Sequence, residues 1–132
     1  MVSIPKNVTD MIAAPDAPKM ITTIDAKGIP NVIPLWSIVA IDAQTIAFAD
    51  LFIKRTKENL METKKVAIAV CKGNAGCQLK GTFCEFQTSG PIFDEFSKKV
   101  MEAMKMQIRS VGIIKVDEVF EASPGQNSKK LA

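Results

Sequence analysis

The sequence predicts an α+β protein, mainly β, in which six strands form a closed or nearly closed antiparallel barrel flanked by helices. Three observations carry that reading. Six runs rich in β-branched and apolar residues are separated by Gly, Pro, Asn and Asp turn signals. They follow one another in the order of successive hairpins. Intervals with helical character fall after the third and the fifth run, so the helices flank the strands rather than alternate with all of them. Closure would remove the edges that such long apolar strands otherwise expose.

Along the chain, Asn7 or Thr9 can cap a short first helix through Ala14, before the Pro15-Asp16-Ala17-Pro18 break. Residues 19–25 form a first strand, and 26–30 a turn in which Gly28 is free to take positive φ. Residues 31–41 read as one long second strand, and Asp42-Ala43-Gln44 reverses the chain into the third, Thr45–Asp50. After a basic loop, Glu58-Asn59-Leu60-Met61-Glu62 opens a helix. Residues 65–71 are a fourth, strongly apolar strand, 72–76 a loop and 77–88 a fifth strand. Gly81 inside it marks a bulge or a close backbone approach. Pro91 suits the first position of the next helix. There Phe93, Phe96, Val100, Met101 and Met104 recur at helical spacing, a face that packs on the sheet with methionines as gap-fillers. Residues 109–119 are the last strand.

At 132 residues the chain reads as one domain, 1–132, with 122–132 a flexible polar tail. The net charge of +3 is spread along the chain, which allows an anionic ligand without the concentrated basic face of a nucleic-acid binder. No stretch has the length of a membrane span, and the first residues lack a secretion signal's layout, so a cytoplasmic location is expected. With no His and no Tyr, imidazole-based triads are excluded, as are the commonest metal and haem ligands. Difficult chemistry would then fall to a cofactor. Cys71, Cys77 and Cys84 lack metal-site spacing, and Cys84, in a strand, is expected to be a buried thiol.

The most informative segment is Lys54-Arg55-Thr56-Lys57-Glu58-Asn59. Two adjacent cations, a hydroxyl and the free backbone N–H groups of a helix start suit a phosphate monoester. A basic pair before a surface helix is otherwise only solvated charge, so the surrounding pattern has to decide.

Four ordered stretches supply that pattern: Gly28 to Trp36; Phe48-Ala49-Asp50 with Lys54-Arg55-Thr56 and Asn59; Leu79-Lys80-Gly81-Thr82 running to Gln87-Thr88-Ser89-Gly90-Pro91; and Val116 to Phe120 with Ser123-Pro124-Gly125. With these the chain resembles the FMN-binding split barrels related to pyridoxamine 5′-phosphate oxidase, and most of all the short flavoproteins called FMN-binding proteins. The resemblance implies a six-stranded split barrel, a homodimer and flavin mononucleotide (FMN) at the subunit interface. It places the phosphate on Lys54, Arg55 and Thr56, Arg55 gripping oxygens bidentately and Lys54 acting as a point charge. It lays the flavin ring against Ile33, Pro34, Leu35, Trp36 and Ser37. Trp36, the single tryptophan, is either at the ring or a buried structural aromatic.

By the same mapping Asp50 meets a ribityl hydroxyl or braces Arg55, since a carboxylate would repel the phosphate. Asn59 orients the loop or lies on the helix surface. Lys80 would favour the reduced ring's negative charge, or else simply points outward, and Gln78 is a weaker candidate for the same edge. The expected function is electron or hydride passage between FMN and a small acceptor or redox partner, with no role for nucleic acid or membrane. A deazaflavin-dependent reductase is the alternative, with Lys57, Lys64 and Lys65 as extra cations, and a nucleic-acid-binding barrel a third reading. Without the His-bearing C-terminal substrate segment of a full pyridoxamine 5′-phosphate oxidase, that particular activity is not expected.

Overall fold

The computed structural model describes residues 2–132. The elements are α1 (Lys6–Ala13), β1 (Lys19–Ile24), β2 (Pro30–Pro34), β3 (Val39–Ala40), β4 (Thr45–Asp50), α2 (Arg55–Thr63), β5 (Lys65–Lys72), β6 (Ala75–Gln87), α3 (Pro91–Met104) and β7 (Ser110–Glu121). The seven strands make one sheet in the order β2-β1-β5-β6-β7-β4-β3, antiparallel at every pairing.

The ends of that order are neighbours in sequence, and this sets the shape. A flat sheet would separate β2 from β3 by about 29 Å at ordinary strand spacing. The chain from Pro34 to Val39 can reach only about 18 Å. The sheet therefore curls until its two edges approach, as in a split barrel. Its interior holds Ile21, Ile46, Phe48, Ile68, Leu79 and Ile114, with Val8 and Ile12 of α1 and Leu60 of α2 in the same cluster. A second, smaller cluster lies outside, where Val100 of α3 covers Ala47, Ala49, Val111 and Ile113.

The strand count is seven rather than six because the expected second strand is broken. Ile33 is half-buried and Pro34 exposed, as alternation requires, but Leu35 and Ile38 are both buried three residues apart. A period-two strand cannot turn both inward. Residues 35–38 instead leave the sheet between its two edges, with the Ala49 N–H donating to Ser37 Oγ at 2.9 Å.

Other expectations are met or shifted by local physics. Pro91 does begin α3. The register shifts between Lys80 and Gly81, where a Cβ on Gly81 would lie 2.6 Å from the Lys115 carbonyl oxygen, so the bulge and the close approach coincide. Neither Asn7 nor Thr9 caps α1: Pro5 holds that position, and the Thr9 hydroxyl donates back to the Lys6 carbonyl. Cys84 is exposed rather than buried, beside a second register shift in β6. Met101 and Met104 are exposed on α3 instead of filling gaps.

Residues 122–132, expected as a flexible tail, fold back on β7. The Glu121 N–H donates to the Lys129 carbonyl at 2.7 Å and the Leu131 N–H to that of Val119 at 2.8 Å. Leu131 and Ala132 pack against the interior cluster, which accounts for the return of a mostly polar segment. No helix among the described residues is long and apolar enough to cross a membrane.

Candidate functional site

The start of α2 is set by the face the helix buries. Leu60 is fully buried in the interior, and Asn59 and Thr56 lie on the same side of the helix. Asn59 Nδ2 donates to Thr23 Oγ1 of β1 at 3.1 Å, and Asn31 Nδ2 of β2 donates to Thr56 Oγ1 at 3.2 Å. Asn59 is thus buried rather than on the helix surface, and it ties the helix that follows the loop to β1. With that face fixed, Lys54 and Arg55 are left outside. Both are exposed and neither makes an ion pair among the described residues. Lys54 occupies the N-cap position and no side chain caps the helix, which leaves its first N–H groups to solvent or to an anion.

Immediately upstream, a groove of about 1060 Å³ opens beside the split between β2 and β3. One wall is Pro34, Leu35, Trp36 and Ser37; another is Phe96, Val100 and Met104 of α3, with Leu51 and Ile53 between them. Trp36 is 63% exposed and stands at the groove, so it is not a buried structural aromatic. Ile33 lies just inside, half-buried against the interior cluster.

Asp50 takes a different role from either expected one. Its side chain is fully buried. Oδ2 accepts from Lys57 Nζ at 3.0 Å and Ser110 Oγ at 3.1 Å. Oδ1 accepts from Arg109 Nη2 at 3.1 Å and the Ile53 N–H at 3.2 Å. Burial pushes this carboxyl up, but hydrogen bonds from Lys57, Arg109 and Ser110 and the Lys57 charge outweigh it and hold it below the ordinary value. It neither faces a ligand hydroxyl nor braces Arg55. Lys57, its ammonium also 4.8 Å from the Phe86 ring centroid, is turned away from the exposed cation pair.

Gln78 and Lys80 are not brought to this place. On β6 they alternate with Cys77 and Leu79, which share the interior with Leu60, so they point to the opposite face of the sheet. Lys80 Nζ lies 5.2 Å from the Phe120 ring centroid. Sequence reasoning missed Arg109, Leu51, Ile53 and Asn31. Asn31 had a signal, a polar residue in register with the inward Ile33. Arg109 had none, since it meets Asp50 only because β7 pairs with β4.

A curled antiparallel sheet with a groove beside the split between its edges, and a basic helix start following the groove residue Ile53, describes a split barrel. The chain belongs to the pyridoxamine 5′-phosphate oxidase family, whose model matches residues 5–128. An uncharacterized protein of Methanocaldococcus jannaschii is 32% identical over 117 residues, covering 84% of this chain and 76% of its own. The crystal structure of HupZ from Group A Streptococcus superposes with a TM-score of 0.81 at 29% identity, covering 92% of this chain and 96% of that one. An FMN-binding protein from Syntrophomonas wolfei shares the fold, with a TM-score of 0.81 at 19% identity over 87% of this chain and 83% of its own.

Proposed function

We propose that this protein is a homodimeric FMN flavoprotein passing electrons or hydride between the flavin and a small acceptor or redox partner. One observation carries the reading: a single groove is bounded by residues 34–37 and by Leu51 and Ile53, the residues that run directly into the exposed pair Lys54 and Arg55. Apolar walls beside unpaired cations and open helix N–H groups form the donor set that a flat ring with a phosphate tail requires. The groove's volume is ample for such a ligand.

In this reading Arg55 grips the phosphate, Lys54 adds charge, and Thr56, buried against Asn31, holds the loop in register. Ile33 to Ser37 flank the ring, with Trp36 over the groove. Bound flavin supplies two-electron chemistry that needs no side-chain base, while the protein orients the reactants and keeps water off one face. Gln78 and Lys80, turned away from their own α2, take no part in one protomer's site; in the proposed dimer they could contribute only from the partner copy. The deazaflavin alternative is weakened because Lys57, one of its three extra cations, is held by Asp50.

The test is a visible absorption spectrum of the purified protein and its heat-released supernatant, followed by titration with FMN and with a deazaflavin. Oxidised-flavin bands, and FMN uptake weakened by Arg55→Ala, are expected. A colourless protein that refuses added FMN overturns the reading, and tighter uptake of the deazaflavin moves it to the alternative.

A further inference from the structure

We propose that Arg109 is a positioning residue that sets the phosphate selectivity of the Lys54–Arg55 loop without touching the ligand. This rests on the reading of that loop as the phosphate site. The chain between β4 and α2 is short and strained: Phe52 takes φ +66°, a left-handed conformation that costs a bulky residue energy. Something must hold it there, and the same guanidinium reaches each part of it.

Arg109 Nη2 donates to the Asp50 carboxylate at 3.1 Å and to the Ile53 carbonyl at 3.0 Å. Its guanidinium carbon lies 4.9 Å from the ring centroid of Phe52, which is 60% exposed. The Arg109 N–H donates in turn to the Asp50 carbonyl at 3.0 Å, so both backbone and side chain anchor to the end of β4. Asp50 completes the clasp by accepting from the Ile53 N–H. The backbone on either side of Ile53 is therefore fastened, one group to Asp50 and one to Arg109. The next residue is Lys54. Its carbonyl accepts the first bond of α2, from the Glu58 N–H at 3.0 Å. The direction in which Lys54, Arg55 and the open N–H groups point is thus inherited from Arg109, which lies far away in sequence.

Such a residue should act chiefly on the phosphate, because of the groove lining it holds only Ile53, while the wall at 34–37 is built independently. The experiment compares FMN with riboflavin, which lacks the phosphate, on full-length protein freed of flavin, with inorganic phosphate as competitor. Wild type is expected to prefer FMN, and Arg109→Gln to reduce that preference by about tenfold while leaving riboflavin affinity within about twofold. Arg109→Lys keeps a charge for Asp50 but cannot lie flat on Phe52; it should lose the preference partly, and it keeps the test available should the Gln variant fail to fold. Equal weakening of FMN and riboflavin, or an unchanged preference in both variants, overturns the positioning role. A wild type that does not distinguish FMN from riboflavin overturns the phosphate site itself.

Discussion

The ring of Phe48 occupies the space that a Cβ on Gly112 would need. The two residues face each other across the β4–β7 pairing, and Phe48 is fully buried, its ring edge-on to that of Phe86 at 6.1 Å. An alanine at 112 would have to displace a ring that is fully buried. Gly112→Ala is expected to destabilise the fold by about 1–3 kcal/mol, the cost of overpacking a tight core. Denaturant unfolding checks this, and an unchanged midpoint would mean that the barrel can relax around Phe48.

The buried Asp50 gives the protein an acid-sensitive joint. Its folded pKa lies below the ordinary 3.8, so the carboxylate's contribution to stability is fully present above that value and is lost as pH falls through the folded one. Asp50→Asn leaves Lys57 and Arg109 without their counter-charge and is expected to cost about 3 kcal/mol at neutral pH. The variant should also lose less stability than wild type on going from pH 5 to about pH 3. Urea midpoints across that range provide the comparison; parallel pH curves would remove Asp50 from the account.

Burial, then the negative charge of Glu121 and the thiol of Cys71, push the Cys77 thiol up to about 11. At neutral to mildly alkaline pH it stays protonated and unreactive. Cys84 is exposed and is expected to label in the native protein, whereas Cys77 labels only after denaturation. Peptide mass spectrometry after alkylation reads both sites, and native labelling of Cys77 would show that β6 opens locally.

Trp36, being the single tryptophan and largely exposed, reports directly on the groove. Flavin-free protein is expected to show red-shifted emission quenched by iodide, and FMN to quench that emission and shield what remains. Iodide access unaltered by saturating FMN would place the ring elsewhere.

Arg55→Ala should weaken FMN binding by about 10–100-fold, the range for losing a charge-assisted contact. Stability should change by less than about 0.5 kcal/mol, because Arg55 is exposed and makes no ion pair among the described residues. A large loss of stability without loss of affinity would make it a structural residue.

What the sequence determined by itself is what adjacent residues decide among themselves. The third strand, Thr45–Asp50, the start of α3 at Pro91 and the bulge at Gly81 come from β-branching, a fixed φ and a missing Cβ. The basic pair at 54 and 55 is also local, since it needs only charge next to a helix start. Tertiary structure decided the rest. The break at 35–38 arises because Leu35 and Ile38 must both enter one interior, which no periodicity in that run announces. Likewise, Asp50 turned from ligand to partner because β7 brings Arg109 and Ser110 beside it from the far end of the chain. The tail returned because Val119 on β7 offers its backbone groups and the interior accepts Leu131. For the break and for Asp50 the deciding contacts join segments remote in sequence. The tail's own hydrogen bonds are short-range, but its apolar end packs on an interior that exists only once the sheet has curled.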